Sequence, residues 1–205
     1  MQHLLYGELV PWYYLLDPTE DHIDEAATYQ AAFERAIGSE AETLLELGAG
    51  GGNNAFFLKR RFRCTLTDIS APMLELSRAL NPDCEHTIGD MRALRLERTF
   101  DAVVATLVLC SVDDPAEALR EVLRVLKPGG RFVFMEHVAA PRGTFTRWLQ
   151  RLLSPLWNFA ADGCHLDRDT AAVISTAGFR TVVHDHFDLP IPVVGPHLAG
   201  TAWAP

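Results

Sequence analysis

The chain has 205 residues, of which 48% are hydrophobic and 22% charged, with a formal net charge of -9 and four cysteines. That length buries one core without staples, and the acidic balance excludes a general nucleic-acid binder, because phosphate neutralisation needs basic patches. Cys64, Cys84, Cys110 and Cys164 make no C-x-x-C pair, which argues against a zinc site or a disulfide framework and fits a reduced, cytoplasmic setting.

The N-terminal segment is aromatic (Tyr6, Trp12, Tyr13, Tyr14), then acidic from Asp17 to Glu25, then helical to about Ile37, where Gly38 and Ser39 close it. Its first sixteen residues are too short to span a bilayer, lack a basic flank and are interrupted by Pro11, so neither a targeting signal nor stable membrane insertion is expected. Aromatics ahead of a ligand-binding turn suit core anchors or a lid.

From Thr43, the run Leu44, Leu45, Glu46, Leu47 reads as a strand covered on both faces. Gly48, Ala49, Gly50, Gly51 and Gly52 follow as a turn that lets backbone approach a ligand. A helix from about Asn53 to Arg60 points its N-terminus at that ligand. Glu46 stands at the strand's end, where it can accept hydrogen bonds from an amino-acid ammonium group and would repel a pyrophosphate. Read as a dinucleotide fingerprint, the run from Gly48 fails at the third glycine, where Asn53 stands, although Gly50-x-Gly52-x-x-Ala55 satisfies the looser form.

A second strand, Cys64 to Ile69, ends at Asp68, about twenty residues beyond the glycines, the distance at which an acid reaches the ribose hydroxyls of an adenosine. Ser70 caps a helix over Ala71 to Leu80, with Met73 one turn in and able to rest on an adenine. The third strand, Cys84 to Gly89, leads into Asp90 and Met91, and the fourth runs from Phe100 to Thr106. Asp114-Pro115-Ala116-Glu117 opens a helix with a capping side chain, a proline at its first position and a glutamate three residues on. Leu119, Val122, Leu123 and Leu126 give it one buried face, and Lys127-Pro128-Gly129-Gly130 ends it before a fifth strand from Arg131 to Val138. Over Thr144 to Phe159, Phe145, Trp148, Leu149, Leu152, Leu153 and Leu156 recur at helical spacing. That apolar face is expected to pack on the domain, the alternatives being a roof over an acceptor pocket or contact with a hydrophobic surface. A helix over Arg168 to Ala177, a sixth strand near Thr181 to Phe187 and a short last strand near Ala199 to Trp203 complete the chain.

The run Glu46-x-Gly48-x-Gly50-x-Gly52, with Glu121-Val-Leu-Arg-Val-Leu-Lys-Pro-Gly-Gly-Arg131-Phe-Val-Phe, resembles the class I methyltransferases that use S-adenosylmethionine. The resemblance implies one domain over residues 1–205 with an α/β, Rossmann-like class I methyltransferase fold: a seven-stranded, mostly parallel sheet with an antiparallel last strand and helices on both faces. Residues 1–40 would form an N-terminal helical lid, 41–140 the cofactor-binding core, and 141–205 the acceptor-side helix and last two strands. It further implies S-adenosyl-L-methionine as cofactor and S-adenosyl-L-homocysteine as product, held by Tyr14, Glu46, Gly48, Ala49, Gly50, Asn53, Asp68, Ile69, Met73, Asp90, Met91, Thr106 and Leu107. A small-molecule acceptor would sit near Tyr6, Tyr13, Trp148 and His165, with no metal, in a monomer or homodimer.

Up to about Phe100 the chain resembles small bacterial methyltransferases, through residues 44–54 and Arg78-Ala-Leu-Asn-Pro-Asp-Cys-Glu-His86. Beyond Asp101 it is more similar to alkyl-thiol methyltransferase-like proteins, through Thr106-Leu-Val-Leu-Cys-Ser-Val112, Phe134-Met-Glu-His-Val-Ala139, Asp162-Gly-Cys-His-Leu166 and Pro196-His-Leu198. Those proteins carry an N-terminal membrane anchor that the opening residues here do not match. A recombinant or designed chain with its seam near residue 100 would explain the two halves, as would one natural lineage.

Methyl transfer from a sulfonium is an in-line displacement, so the main task is to hold acceptor and methyl together without water. A thiol is the first expectation for the acceptor, since its thiolate is accessible near neutral pH. Hydroxyl or amine acceptors need a base, and His137, at the end of the fifth strand, is where one would serve. The rivals are an O- or N-methyltransferase acting on a small metabolite and a cofactor-binding protein without catalysis.

Overall fold

A computed structural model describes residue 10 and residues 31–205. Tyr6, Tyr13, Tyr14 and most of the expected lid lie outside the described residues. Residues 31–37 are helical and end at Gly38, whose φ of 95° closes the helix as its position predicts.

Seven strands follow: β1 (Thr43–Leu47), β2 (Arg63–Asp68), β3 (Glu85–Ile88), β4 (Phe100–Thr106), β5 (Leu126–His137), β6 (Thr181–Asp188) and β7 (Pro196–Trp203). They form one sheet in the order β3-β2-β1-β4-β5-β7-β6, in which only β7 runs against the rest. Between them lie α1 (Asn53–Leu58), α2 (Ala71–Leu80), α3 (Pro115–Val125), α4 (Phe145–Ala160) and α5 (Thr170–Thr176). Side-chain alternation along the central strands splits the core in two. Leu45, Leu47, Val103, Ala105, Phe132 and Phe134 face α3 and α5, whereas Leu44, Leu66, Ala102, Val104 and Val133 face α1 and the 31–37 helix. The chain crosses from one half of the sheet to the other between β1 and β4, which opens a crevice at their C-terminal ends.

At the opposite end of those two strands, Asp101 ties the sheet together. Its Oδ2 accepts from the backbone N–H of Glu42 and Thr43 at 3.2 and 2.9 Å and from Thr43 Oγ1 at 2.7 Å, while Lys127 Nζ donates to Oδ1 at 2.6 Å. Burial pushes this carboxyl up, but the donors from Lys127, Thr43 and Glu42 outweigh it and hold the group well below the usual carboxylate range.

Three expectations are corrected. The helix expected to run to Lys127 ends at Val125, and Leu126 already pairs with Phe100. The pairing then jumps to Ala102 with Arg131, so residues 127–130 bulge out, with Gly129 at φ 72°. The last strand begins at Pro196 rather than Ala199, because antiparallel pairing with β5 and β6 continues to His197.

The third concerns α4, which turns its apolar side outward. Phe145, Trp148, Leu152, Leu156 and Phe159 are 57–77% exposed, whereas Gln150 and Ser154 are buried. Gln150 accepts from Ala140 N at 2.7 Å and donates to the carbonyls of Val138 and Val193, and Ser154 Oγ donates to Asp167 at 3.0 Å. Directional hydrogen bonds, not apolar packing, decide which side of this helix faces the domain.

Asp101→Asn keeps the shape but loses the charge that Lys127 and three donors converge on. It should lower the free energy of unfolding by about 1–3 kcal/mol, read as a lower midpoint in urea at neutral pH with an unchanged slope.

Candidate active site

The crevice is built from the turns that follow β1, β2, β3 and β4. Gly48 has φ 61°, and a Cβ there would lie 2.4 Å from Val108 Cγ2, so the turn after β1 can touch the turn after β4 only with glycine at this position. The Met91 methyl is the next neighbour, at 3.6 Å from the same point, which brings the end of β3 to the crevice as well. Gly52, at φ 83°, is fixed from behind: Asn81 Nδ2 donates to its carbonyl at 2.9 Å, and Ser77, beside Asn81, is held by His86 at 3.0 Å.

Glu46 is 2% exposed and, among the described residues, its side chain accepts from Asn54 Nδ2 at Oε1, at 3.0 Å. The same amide reaches Thr106 Oγ1 at 3.4 Å, so Asn54 links the ends of β1 and β4. Glu46 Oε2 is buried without a partner among the described residues. Burial pushes the carboxyl up to about 7, against the lowering effect of Asn54. An unpaired buried carboxylate oxygen beside a glycine turn suits an ammonium group, which would restore the ionised form.

Asp68 ends β2 with Oδ2 accepting from Gly50 N at 2.9 Å and Oδ1 from Ser70 N at 2.8 Å. It therefore braces the glycine turn. Ser70 caps α2 as expected, accepting from Met73 N. Ile69 is 60% exposed just past Asp68 and offers an apolar surface. Asp90 is engaged by Arg92, which donates to both of its oxygens and holds it below the usual carboxylate range. Met73 is a correction: it is fully buried on the inner side of α2 and has no surface to offer an adenine.

Leu107 sits at φ 54°, unusual for a branched residue, and is 46% exposed. The turn it begins is held from two sides. Glu136, fully buried, accepts from the N–H groups of Val108, Leu109 and Cys110 at 3.2, 3.0 and 3.3 Å, and Arg168 Nη1 donates to the carbonyls of Leu109 and Val112. Burial pushes Glu136 up to about 8 in spite of the three N–H donors.

Next to Glu136, His137 is 2% exposed, and among the described residues neither ring nitrogen has a hydrogen-bond partner of normal geometry; its ring meets that of His197 edge-on at 5.7 Å. His165 N donates to Cys110 O at 3.0 Å, which sets Cys164 beside Cys110. The Cys164 thiol is held low first by Cys110 and then by the nearby His137 and Trp157, while Cys110 is pushed up by the same contact and by burial. His165 faces the inner side of α4 through Asn158, 3.3 Å from its Nε2. Trp148 stands on the outer side of α4, stacked on Phe145 at 5.6 Å, and is not brought to His137 and His165.

Asn54, Glu136 as the brace of the turn and Arg168 are absent from the expected site. A lone amide after a glycine turn is the only hint of the first, and nothing local marks the other two.

A sheet of this order, with an acid and a glycine turn at its switch point and a second acid at the end of β2, has the architecture of the class I S-adenosylmethionine-dependent methyltransferases. A family described as "Methyltransferase domain" matches residues 45–134. The chain is 39% identical over 174 residues to the thiol S-methyltransferase TMT1B of Rattus norvegicus, covering 80% of this chain and 71% of that protein. It is 36% identical over 181 residues to human thiol S-methyltransferase TMT1A, covering 78% and 70%. Among solved structures, the N-methyltransferase NodS of Bradyrhizobium japonicum, in complex with S-adenosylhomocysteine, superposes with a TM-score of 0.68 at 18% identity, over 95% of this chain and 92% of that one. The chain belongs to the family of these S-adenosylmethionine-dependent methyltransferases.

Glu46→Gln should weaken S-adenosylhomocysteine binding about 10- to 100-fold, the worth of a charge-assisted hydrogen bond. Because the carboxyl must lose its proton to meet an ammonium, wild-type affinity should rise as pH rises through about 7, and the variant's should not. Titration calorimetry on either side of that pH decides it; equal affinities above it would remove Glu46 from this role.

Proposed function

We propose that this chain transfers the methyl group of S-adenosylmethionine to a thiol on a small molecule. The observation that carries this reading is the match to thiol S-methyltransferases over four-fifths of the chain. The cofactor supplies a methyl group on a positively charged sulfur. Glu46 would hold its ammonium and Asp68 its ribose, with the backbone at Gly48 and Gly50 close against the methionine part. Ala49, Asn53, Thr106, Asn54 and Leu107 would line the same space. Asp90, Met91 and Ile69 would frame the adenine, and Tyr14 would cover it.

At the acceptor side, the thiol's sulfur forms the new bond to carbon while the bond from carbon to the sulfonium breaks. The thiol's proton needs a destination, and His137 supports that role: it is buried, its ring nitrogens have no partner of normal hydrogen-bond geometry among the described residues, and it follows the acid that holds the 108–110 turn. The positive charge of the cofactor favours the acceptor thiolate, so His137 assists without being indispensable. His165 on the inner side of α4, with Tyr6 and Tyr13, would shape the acceptor pocket. Four free cysteines agree with a reducing, cytoplasmic setting.

Incubation with S-adenosylmethionine and a small alkyl thiol should release S-adenosylhomocysteine in proportion to thiol, above a no-thiol control. His137→Ala should cut turnover at neutral pH and recover much of it toward about pH 9, where an acceptor thiol ionises unaided. Loss at every pH would favour a hydroxyl or amine acceptor; cofactor binding without release for any acceptor would leave a binding protein.

A further inference from the structure

The outer side of α4 carries Phe145, Trp148, Leu152, Leu156 and Phe159 at steps of three and four residues, all exposed, with Leu153 beside them. A second element extends the patch. Leu189 and Ile191 are exposed on the loop before β7, and Gln150 Nε2 ties that loop to α4 by donating to Val193 O at 3.0 Å. Since the inner side of the helix is the polar one, these residues gain nothing from the fold by standing where they do.

The charge pattern separates the candidate occupants. Between Glu136 and Asp162 the chain has no acid and three arginines, Arg142, Arg147 and Arg151, the longest acid-free run in a protein of net charge -9. Arg142 and Arg151 are exposed and Arg147 is half-buried. A second copy packed antiparallel on this side would bring Arg151, next to the helix midpoint, against its own equivalent. An anionic surface meets the arginines favourably, no acid of α4 opposes it, and here, unlike at the exposed basic run Arg60, Arg61 and Arg63, the arginines stand beside a row of exposed large apolar side chains.

We propose that the outer side of α4, with the Leu189–Ile191 loop, docks in the plane of an anionic lipid bilayer, its aromatic and leucine side chains entering the boundary between headgroups and acyl chains while Arg142 and Arg151 contact the headgroups. This is surface attachment, since among the described residues no helix is long and apolar enough to cross a membrane. Docking of this kind is independent of which acceptor is methylated.

The test is flotation of the full chain with vesicles of phosphatidylcholine containing phosphatidylglycerol, against vesicles of phosphatidylcholine alone, with size-exclusion chromatography of the free protein alongside. Flotation with the anionic vesicles, weakened by salt and reduced roughly tenfold or more in Leu152→Glu/Leu156→Glu, is expected. Both positions are exposed, and S-adenosylhomocysteine binding by the variant checks that it folds. No flotation of a wild-type dimer that the variant converts to monomer would overturn the proposal in favour of a second copy. No flotation of a monomer would overturn it in favour of cover by residues 1–30 or a protein partner, and flotation unaltered in the variant would overturn the assignment to α4.

Discussion

Three backbone N–H groups that no strand can use set the terms for this molecule. Where β4 ends, the chain must leave the sheet next to the turn after β1, and the N–H groups of Val108, Leu109 and Cys110 point into the interior. Left bare they would cost several kcal/mol together, at about 1–3 kcal/mol each. Glu136 takes all three, and Arg168 takes carbonyls of the same turn, so a segment without regular structure becomes as fixed as the strands around it. Burial penalises that carboxylate heavily enough to raise it to about 8. The fold accepts the cost because the wall of the crevice depends on it: Val108 packs against Gly48, and Leu107 is held at a positive φ at the start of the same turn.

The polar groups of the crevice also serve one another. Asp68 steadies Gly50, Asn81 steadies Gly52, and Asn54 joins Glu46 to Thr106. Among the described residues, Glu46 Oε2 and Asn81 Oδ1 are buried without a partner, and of the two only the glutamate can carry a negative charge. A site preorganised in this way keeps an unpartnered carboxylate oxygen where an ammonium group would answer it, and affinity then comes from little reordering.

Much of this was legible in the sequence, for reasons that differ by element. The parallel strands announce themselves by unbroken apolar runs, and the caps at Ser70 and Asp114 by short-range chemistry that needs no tertiary context. Glu46 and Asp68 are readable because a strand end places them. The brace at Glu136 is not, since its partners lie 26 to 28 residues away and a buried acid looks like any other acid in a sequence. Met73 went astray because one helical turn separates a residue facing a ligand from one facing the core. Similarity to one thiol S-methyltransferase covers 80% of the chain and so crosses residue 100.

The instructive failure is α4. Periodicity establishes that a helix has an apolar stripe, but not which way the stripe faces; burial inside the same chain is merely the commonest answer. Here Gln150, Ser154 and Asn158 place the helix by hydrogen bonds to Val138, Ala140, Val193, Asp167 and Gly163. Each such bond is worth about 0.5–1.5 kcal/mol net, whereas burying the outer residues would be worth about 1.5–3 kcal/mol apiece. The fold thus attaches the helix by its weaker side and leaves the stronger one unspent. The same inner side of the helix reaches the residues after it that stand near His137, through Asn158 and the 163–165 segment, so the polar contacts that place α4 also place His165.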